Sequence, residues 1–162
     1  DCAAKSKVNQ PRVVNKKEAQ AKIVSSVAPV EQEGVRFQVQ RCQRVQQKLT
    51  CHFTLTSQAK DRNIQIGRYK PSYSSDREKY VYENGFRIYD DLGIEYWSSE
   101  VKVARKSSEK YVETRLVMDI PVRSHAIFEK FDPEASKVAL MQIQPLVDGK
   151  RLDVQIRHIP VE

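Results

Sequence analysis

The chain lacks most of the runs and residues that mark familiar protein classes. No uninterrupted apolar stretch of about 18 residues occurs, so a membrane-spanning helix is excluded. Five glycines and seven prolines in 162 residues exclude collagen-like and most low-complexity chains. So few glycines also leave little room for phosphate-cradling loops, and neither GxGxxG nor GxSxG appears. The three histidines, His52, His125 and His158, share no metal-ligand spacing, and there is no HExxH. No nucleophile–base pair or metal constellation can be assembled from spacing. The sequence therefore reads as non-enzymatic, with no cofactor.

What is present suffices for one core. Hydrophobic residues make up 40% and charged residues 30%. A domain of this size buries roughly two-thirds of its unfolded surface, so it can fold without a metal or a disulfide. The formal charge is +7. Residues 1–33 hold six Lys/Arg against four acids, and the remainder holds 22 against 17. The excess is spread out, and no window carries five like charges. A nucleic-acid binder shows a clustered stripe or basic tail instead. A solvated basic surface is the simpler account, with a polyanion site using Lys/Arg and interleaved tyrosines as the alternative.

Residues 1–33 contain no aromatic side chain, and their few apolar residues are scattered. They read as a linker or arm, with Asn15 as N-cap of a short helix through Ile23. From Gly34 onward the pattern is period two, the mark of half-buried strands. Val35, Phe37 and Val39 alternate with Arg36, Gln38 and Gln40, and Leu49, Cys51, Phe53 and Leu55 alternate with polar neighbours. Further strand-like runs are 63–68, 86–90, 94–97, 101–104, 111–120, 126–131, 138–146 and 152–159. Turn signals separate them: Asn84-Gly85, Asp90-Asp91-Leu92-Gly93 and Asp148-Gly149. Asp132-Pro133-Glu134-Ala135 suits a single helical turn. The expected fold is all-β over residues 34–162, a two-sheet antiparallel sandwich, with a closed barrel as rival.

Two cysteines fall on this pattern in a telling way. If Gln46-Gln47 form a two-residue turn, Cys42 faces Cys51 in a non-hydrogen-bonded pair, where Cα atoms approach most closely. A Cys42–Cys51 disulfide follows, and with it an oxidising, extracellular or periplasmic compartment; a metal site is the weaker rival, since the spacing is not CxxC and no second Cys/His group accompanies it. The same register sends Val35, Phe37 and Val39 to the wrong face. One extra residue, a β-bulge between Val39 and Cys42, would bring both sets to the core. Cys2 is left over as a free thiol, an intermolecular bridge or a lipid-bearing residue. The acidic Asp1 before it is unlike the small residue that normally precedes a lipidated cysteine. No charged-then-apolar signal segment is present, so an exported protein would here be in processed form.

Candidate recognition residues are aromatic. Tyr69, Tyr73, Tyr80 and Tyr82 lie in one polar stretch, which reads as a recognition loop or as a crossover lying flat on the sheet. Tyr89, Tyr96 and Trp97 could stack on a sugar, although Tyr96 and Trp97 must point to opposite faces. Asp90, Asp91 and Glu95 form an acidic cluster that lacks calcium-loop spacing and fits an Asx-type turn better.

Several ordered pieces carry a family likeness. They are Phe37 to Cys42 followed by Cys51-His52-Phe53, then Asp61-Arg62-Asn63-Ile64, then Asp90-Asp91-Leu92-Gly93-Ile94-Glu95-Tyr96. Ile120-Pro121-Val122 with Phe128, and Val154 to Pro160, complete the series. This order resembles a family of exported bacterial immunoglobulin-like domains of unknown function, some labelled telomeric-repeat-binding-factor-like. The likeness spans Gly34 to Glu162 and departs at the Tyr-rich 69–82 stretch, which is longer. It implies an exported immunoglobulin-like β-sandwich with no known activity. The telomere label carries no weight, because nothing here resembles a helical DNA-reading domain. The resulting expectation is a binding or assembly module of the cell envelope. It would be tethered through its N-terminal arm to an envelope polymer or a protein, with nucleic acid the less favoured partner.

Overall fold

The computed structural model describes residues 27–67, 72–74, 79–81, 85–108 and 111–162, with side chains undescribed at 72–74 and 79–81. The expected helix at Asn15–Ile23 and the thiol of Cys2 lie outside these residues. All regular structure among the described residues is strand. The strands are β1 (Val30–Gln32), β2 (Val35–Val45), β3 (Lys48–Ser57), β4 (Arg62–Gly67), β5 (Ser72–Ser74), β6 (Lys79–Val81), β7 (Phe86–Asp90) and β8 (Glu95–Trp97). They continue with β9 (Glu100–Val103), β10 (Lys106–Ser108), β11 (Tyr111–Leu116), β12 (Val122–Phe128), β13 (Lys137–Ile143), β14 (Leu146–Val147), β15 (Lys150–Arg151) and β16 (Val154–Pro160).

Every named strand pair is antiparallel, each sheet has a linear strand order among the described residues, and an isolated parallel bridge between Cys42 and Val161 links β2 to the end of β16. One layer is a six-stranded sheet in the order β1-β2-β3-β12-β9-β10. Two four-stranded sheets, β11-β4-β14-β15 and β16-β13-β7-β8, contribute the other side of the core. One hairpin runs through both. Ile143 pairs with Val154 in one sheet, and Leu146 pairs with Arg151 in the other, without a change of register. Pro145 sits where the hairpin passes between sheets: its carbonyl accepts from the Leu152 amide at 2.9 Å, but its missing N–H leaves the return bond of that pair unmade, and the ladder is interrupted there. The tip, Asp148-Gly149, has both φ angles positive (49° and 79°), as a two-residue turn of this twist requires.

The β2–β3 hairpin shows how parity builds the core. Val45 pairs with Lys48 around Gln46, whose φ of 58° meets the hairpin-turn requirement at its first central residue. Cys42 faces Cys51, and the two are disulfide-bonded with Cα atoms 4.0 Å apart. The Cys42 carbonyl accepts from the Glu162 amide and the Arg44 amide donates to the Glu162 carbonyl, both pointing away from β3. The pair is therefore non-hydrogen-bonded within the hairpin, as the parity required. The register shifts by one residue between Val39 and Arg41, leaving Gln40 as the bulged residue. Val35, Phe37, Val39, Cys42, Leu49, Cys51, Phe53 and Leu55 are all buried as a result.

Between the layers, Phe86 of β7 lies 5.6 Å from the Phe53 ring and 5.7 Å from the Phe128 ring, both in tilted geometry. Such rings fill the depth between sheets and fix their spacing. The six-stranded sheet begins at Val30, before the Gly34 boundary, because Glu33-Gly34 is a tight turn (φ 48° and 74°) joining β1 to β2. The strand expected over 111–120 ends at Leu116. Its continuation turns away, with Asp119 at φ 63° and the Ile120 amide bonded to the Val117 carbonyl. Asp132 caps a turn rather than a helix, its carboxylate accepting from the Glu134 amide at 2.8 Å.

Two measurements test this reading. The disulfide spans nine positions, so its removal in Cys42→Ala/Cys51→Ala should cost about 2–3 kcal/mol by the chain-entropy model, lowering the melting temperature by roughly 5–10 °C without unfolding the protein. An unchanged melting temperature would show that the bond adds no stability. Deletion of Gln40 should abolish folding, since it turns either the valine–phenylalanine set or the cysteine set to solvent. Gln40→Ala keeps the residue count and should stay within about 0.5 kcal/mol of the parent.

Candidate functional site

The β7–β8 turn is built on one carboxylate. Asp90 is buried, and its Oδ1 accepts from the amides of Leu92 and Ile94, both at 2.9 Å. Its Oδ2 accepts from the Tyr96 hydroxyl at 2.8 Å. That hydroxyl accepts in turn from the Asp132 amide at 3.1 Å, and the Tyr96 ring packs 5.1 Å from Phe131. Gly93, at φ 85°, completes the turn. Asp91 accepts from the Ser136 amide and hydroxyl, which hold its carboxyl below the ordinary range. The acidic cluster is thus an Asx-type turn whose oxygens are occupied by protein donors. Of the pair Tyr96 and Trp97, Tyr96 is the core residue.

This turn fixes β8 so that Trp97 and Glu95 face outward beside Arg87 and Tyr89 of β7. Register then sets two rows across the sheet. One runs Trp97–Arg87–Gln142–Gln155 and the next Glu95–Tyr89–Leu140–Arg157. The Arg87 guanidinium carbon lies 5.4 Å from the Tyr89 ring centroid and 5.4 Å from that of Trp97, a cation between two aromatic faces. Arg87 Nε donates to Gln142 Oε1 at 2.6 Å, and Gln142 Nε2 donates to Asp153 Oδ1 at 2.8 Å. Glu95 accepts from the Tyr89 hydroxyl at 2.8 Å and from the Trp97 indole N–H. That bond raises the Tyr89 phenol above its ordinary value. The face is preorganised: half-exposed rings are held by partners that leave them little freedom to rotate.

Arg87, Gln142, Asp153 and Gln155 were not singled out from the sequence. Alternation in 86–90 and the Asp90–Gly93 turn were enough to place Arg87 opposite Trp97. The glutamines belong to β13 and β16, and nothing local shows that those strands lie beside β7.

The expected recognition residues divide. Tyr73 and Tyr80 are register partners in the separate two-stranded β5–β6 pair. Tyr69 and Tyr82 lie outside the described residues. Elsewhere, the Asp61-Arg62-Asn63 motif clamps loops together. Asp61 accepts from the Met118 amide at 2.8 Å and from Arg115 at 3.0 Å, which hold its carboxyl below the ordinary range. Arg62 and the Asn63 amide reach Asp148 at 3.4 and 2.9 Å. His52 and His125 are cross-strand neighbours, and His158 is exposed on β16.

Tyr96 gives the site's support a pH signature. Burial, with the Asp90 carboxylate as acceptor, pushes its hydroxyl up to about 12, although the Asp132 amide pulls the other way. The unfolded chain releases that proton near 10, roughly the free tyrosine value. The contribution to stability is therefore complete below about pH 10 and is lost as pH rises through the folded value. Alkaline titration followed by circular dichroism should show destabilisation in this window, and Tyr96→Phe should be less stable at neutral pH with a flatter alkaline limb. An alkaline limb of unchanged steepness in Tyr96→Phe would rule out this residue as its source.

No family model, curated protein or solved structure matches the chain.

Proposed function

We propose that this protein is an exported, non-enzymatic binding module with an immunoglobulin-like sandwich, tethered through its N-terminal segment and contacting a saccharide polymer of the cell envelope. The observation that carries the ligand class is the Trp97–Arg87–Tyr89 stack on the outer face of the β16-β13-β7-β8 sheet. Aromatic faces edged by planar hydrogen-bonding groups offer a pyranose ring both apolar C–H contact and polar partners for its hydroxyls. The exposed Asp153, Gln155 and Glu95 supply those partners. Export is supported by the Cys42–Cys51 bond, which persists in oxidising compartments. The immunoglobulin-like reading is supported by antiparallel sheets sharing one core. The β5–β6 pair, which sets Tyr73 in register with Tyr80, is the second proposed contact element.

Binding to a panel of purified envelope polysaccharides, followed by calorimetry, tests the ligand class. Trp97→Ala should weaken binding by about tenfold or more, roughly 1.4 kcal/mol, while the fold persists. Arg87→Lys keeps the charge but loses the planar stack, and should weaken binding by less. Binding unaffected by both substitutions would move the contact surface elsewhere. In parallel, esterase, peptidase, phosphatase and glycosidase substrates should show no turnover above background. Turnover abolished by one His or Asp substitution would make the protein an enzyme.

A further inference from the structure

The opposite face of the molecule carries a different chemistry. Four residues stand in register across the outside of the six-stranded sheet: Arg41 faces His52, His52 faces His125, and His125 faces Lys102. The four positions span about 14 Å at the usual strand spacing of about 4.8 Å. The imidazole rings of His52 and His125 meet edge to face, with centroids 5.7 Å apart. Gln40, Arg41, His52, Arg123 and Ser124 line a shallow depression of about 310 Å³ at one end of the row. The neighbouring rows on this face are Gln38–Thr54–Arg123 and Gln43–Thr50–Ile127–Glu100.

We propose that this row is a binding site for an acidic polysaccharide, engaged when the surroundings become mildly acidic. The charge count supports it. With both imidazoles neutral, these three rows carry three cations (Arg41, Arg123, Lys102) against two carboxylates, the Arg36–Glu31 ion pair further along the face being balanced. These are Glu162, 3.3 Å from Arg41, and Glu100, in the row beside Lys102. Protonation of both imidazoles raises the cations to five against the same two carboxylates, and a nearly balanced face becomes strongly cationic. Partial burial lowers both imidazoles below the ordinary histidine value. Arg41 adds to this at His52, and His52 and Lys102 add to it at His125, with Glu100 opposing. A carboxylate laid along the row reverses that balance, so binding takes up protons. Each proton taken up strengthens binding by as much as about tenfold per pH unit. A linear polymer with regularly spaced carboxylates fits the row. A nucleic acid fits it less well, since these rows hold no Phe, Tyr or Trp on which bases could stack. This site lies on a different sheet from the Trp97 stack and stands independently of it.

The full chain should be titrated with polygalacturonate, with neutral dextran and with a single-stranded DNA oligonucleotide, at about pH 5 and about pH 7.5, on either side of the ordinary histidine value. Polygalacturonate should bind at least about tenfold tighter at the lower pH, and the affinity should fall as salt rises. His52→Gln/His125→Gln should flatten the pH dependence, and Arg41→Gln/Arg123→Gln should weaken binding at both pH values. Lys60→Gln removes an exposed charge from a distant loop and should change nothing. In the parent protein, the two imidazole titrations followed by NMR should move to higher pH when the polymer is added, a readout that needs no variant to fold. Affinity independent of pH, equal binding of dextran, unmoved imidazole titrations or tighter binding of the oligonucleotide would each overturn the proposal.

Discussion

One residue, Gln40, decides which side chains of the central hairpin face inward. Alternation along a strand has a period of two, so a run that contains one extra residue must exchange its faces. Upstream of the bulge the odd-numbered Val35, Phe37 and Val39 point into the core, and downstream the even-numbered Cys42 does. Across the ladder, β3 runs without interruption, so Leu55, Phe53 and Cys51 meet both sets. The same extra residue brings Arg41 level with His52 on the outside. A disulfide, a continuous apolar layer and a cationic row therefore share a single local cause. A bulge is normally a local departure from the ladder. Here it is the condition for the hairpin's two halves to serve one core.

The second layer depends on a buried charge in a comparable way. Asp90 lies at the end of β7, where an unpaired carboxylate would be costly to bury. Two amides of its own turn and the Tyr96 hydroxyl satisfy it, so the charge specifies one geometry for the β7–β8 connection. Because Tyr96 is drawn inward, Trp97 must face outward, and the ring stack on the outer face follows from the core contact. Phe86, at the other end of β7, packs against Phe53 and Phe128 of the first sheet. The strand that carries Arg87 and Tyr89 is thus held at both ends, by a ring contact and by a carboxylate. Side chains on a strand so fixed present their outward groups with little freedom.

The parts of this architecture that were legible in the sequence are those governed by neighbours within about a dozen residues. Period-two alternation placed β2, β3, β7, β9 and β16. The Asp148-Gly149 and Asp90–Gly93 turns, the Cys42–Cys51 pairing and the bulge were all consequences of local parity. Residues 111–120 read as one strand because Val117 and Ile120 continue the apolar pattern, yet both are exposed. The turn at Asp119, whose amide bonds to the Ser57 carbonyl, ends the strand through a contact 62 residues away in sequence. Strand order was likewise hidden. Nothing in the residues 137–160 shows that Gln142 will stand beside Arg87, nor does the sequence near His52 show His125. Both outer-face rows are assembled from strands far apart in the chain, which is why the site residues were mostly missed while the fold class was not.

A sandwich with a filled core has few deep cavities, and chemistry on such a scaffold belongs to its surfaces. Here the two outer faces differ in kind. The Trp97 face is held by mutual hydrogen bonds, and its charges, Arg87, Glu95 and Asp153, are engaged by one another or by amides. Its affinity for a neutral ring would come from contact area and would vary little with salt. The Arg41–Lys102 face holds its charges in a row with two imidazoles between them, so its field is set by the proton concentration and screened by salt. The core keeps the two faces apart and orients them in opposite directions. On the two proposals above, the module would distinguish polymers by two separate properties, ring hydroxyl pattern on one face and acid content on the other, without moving any strand.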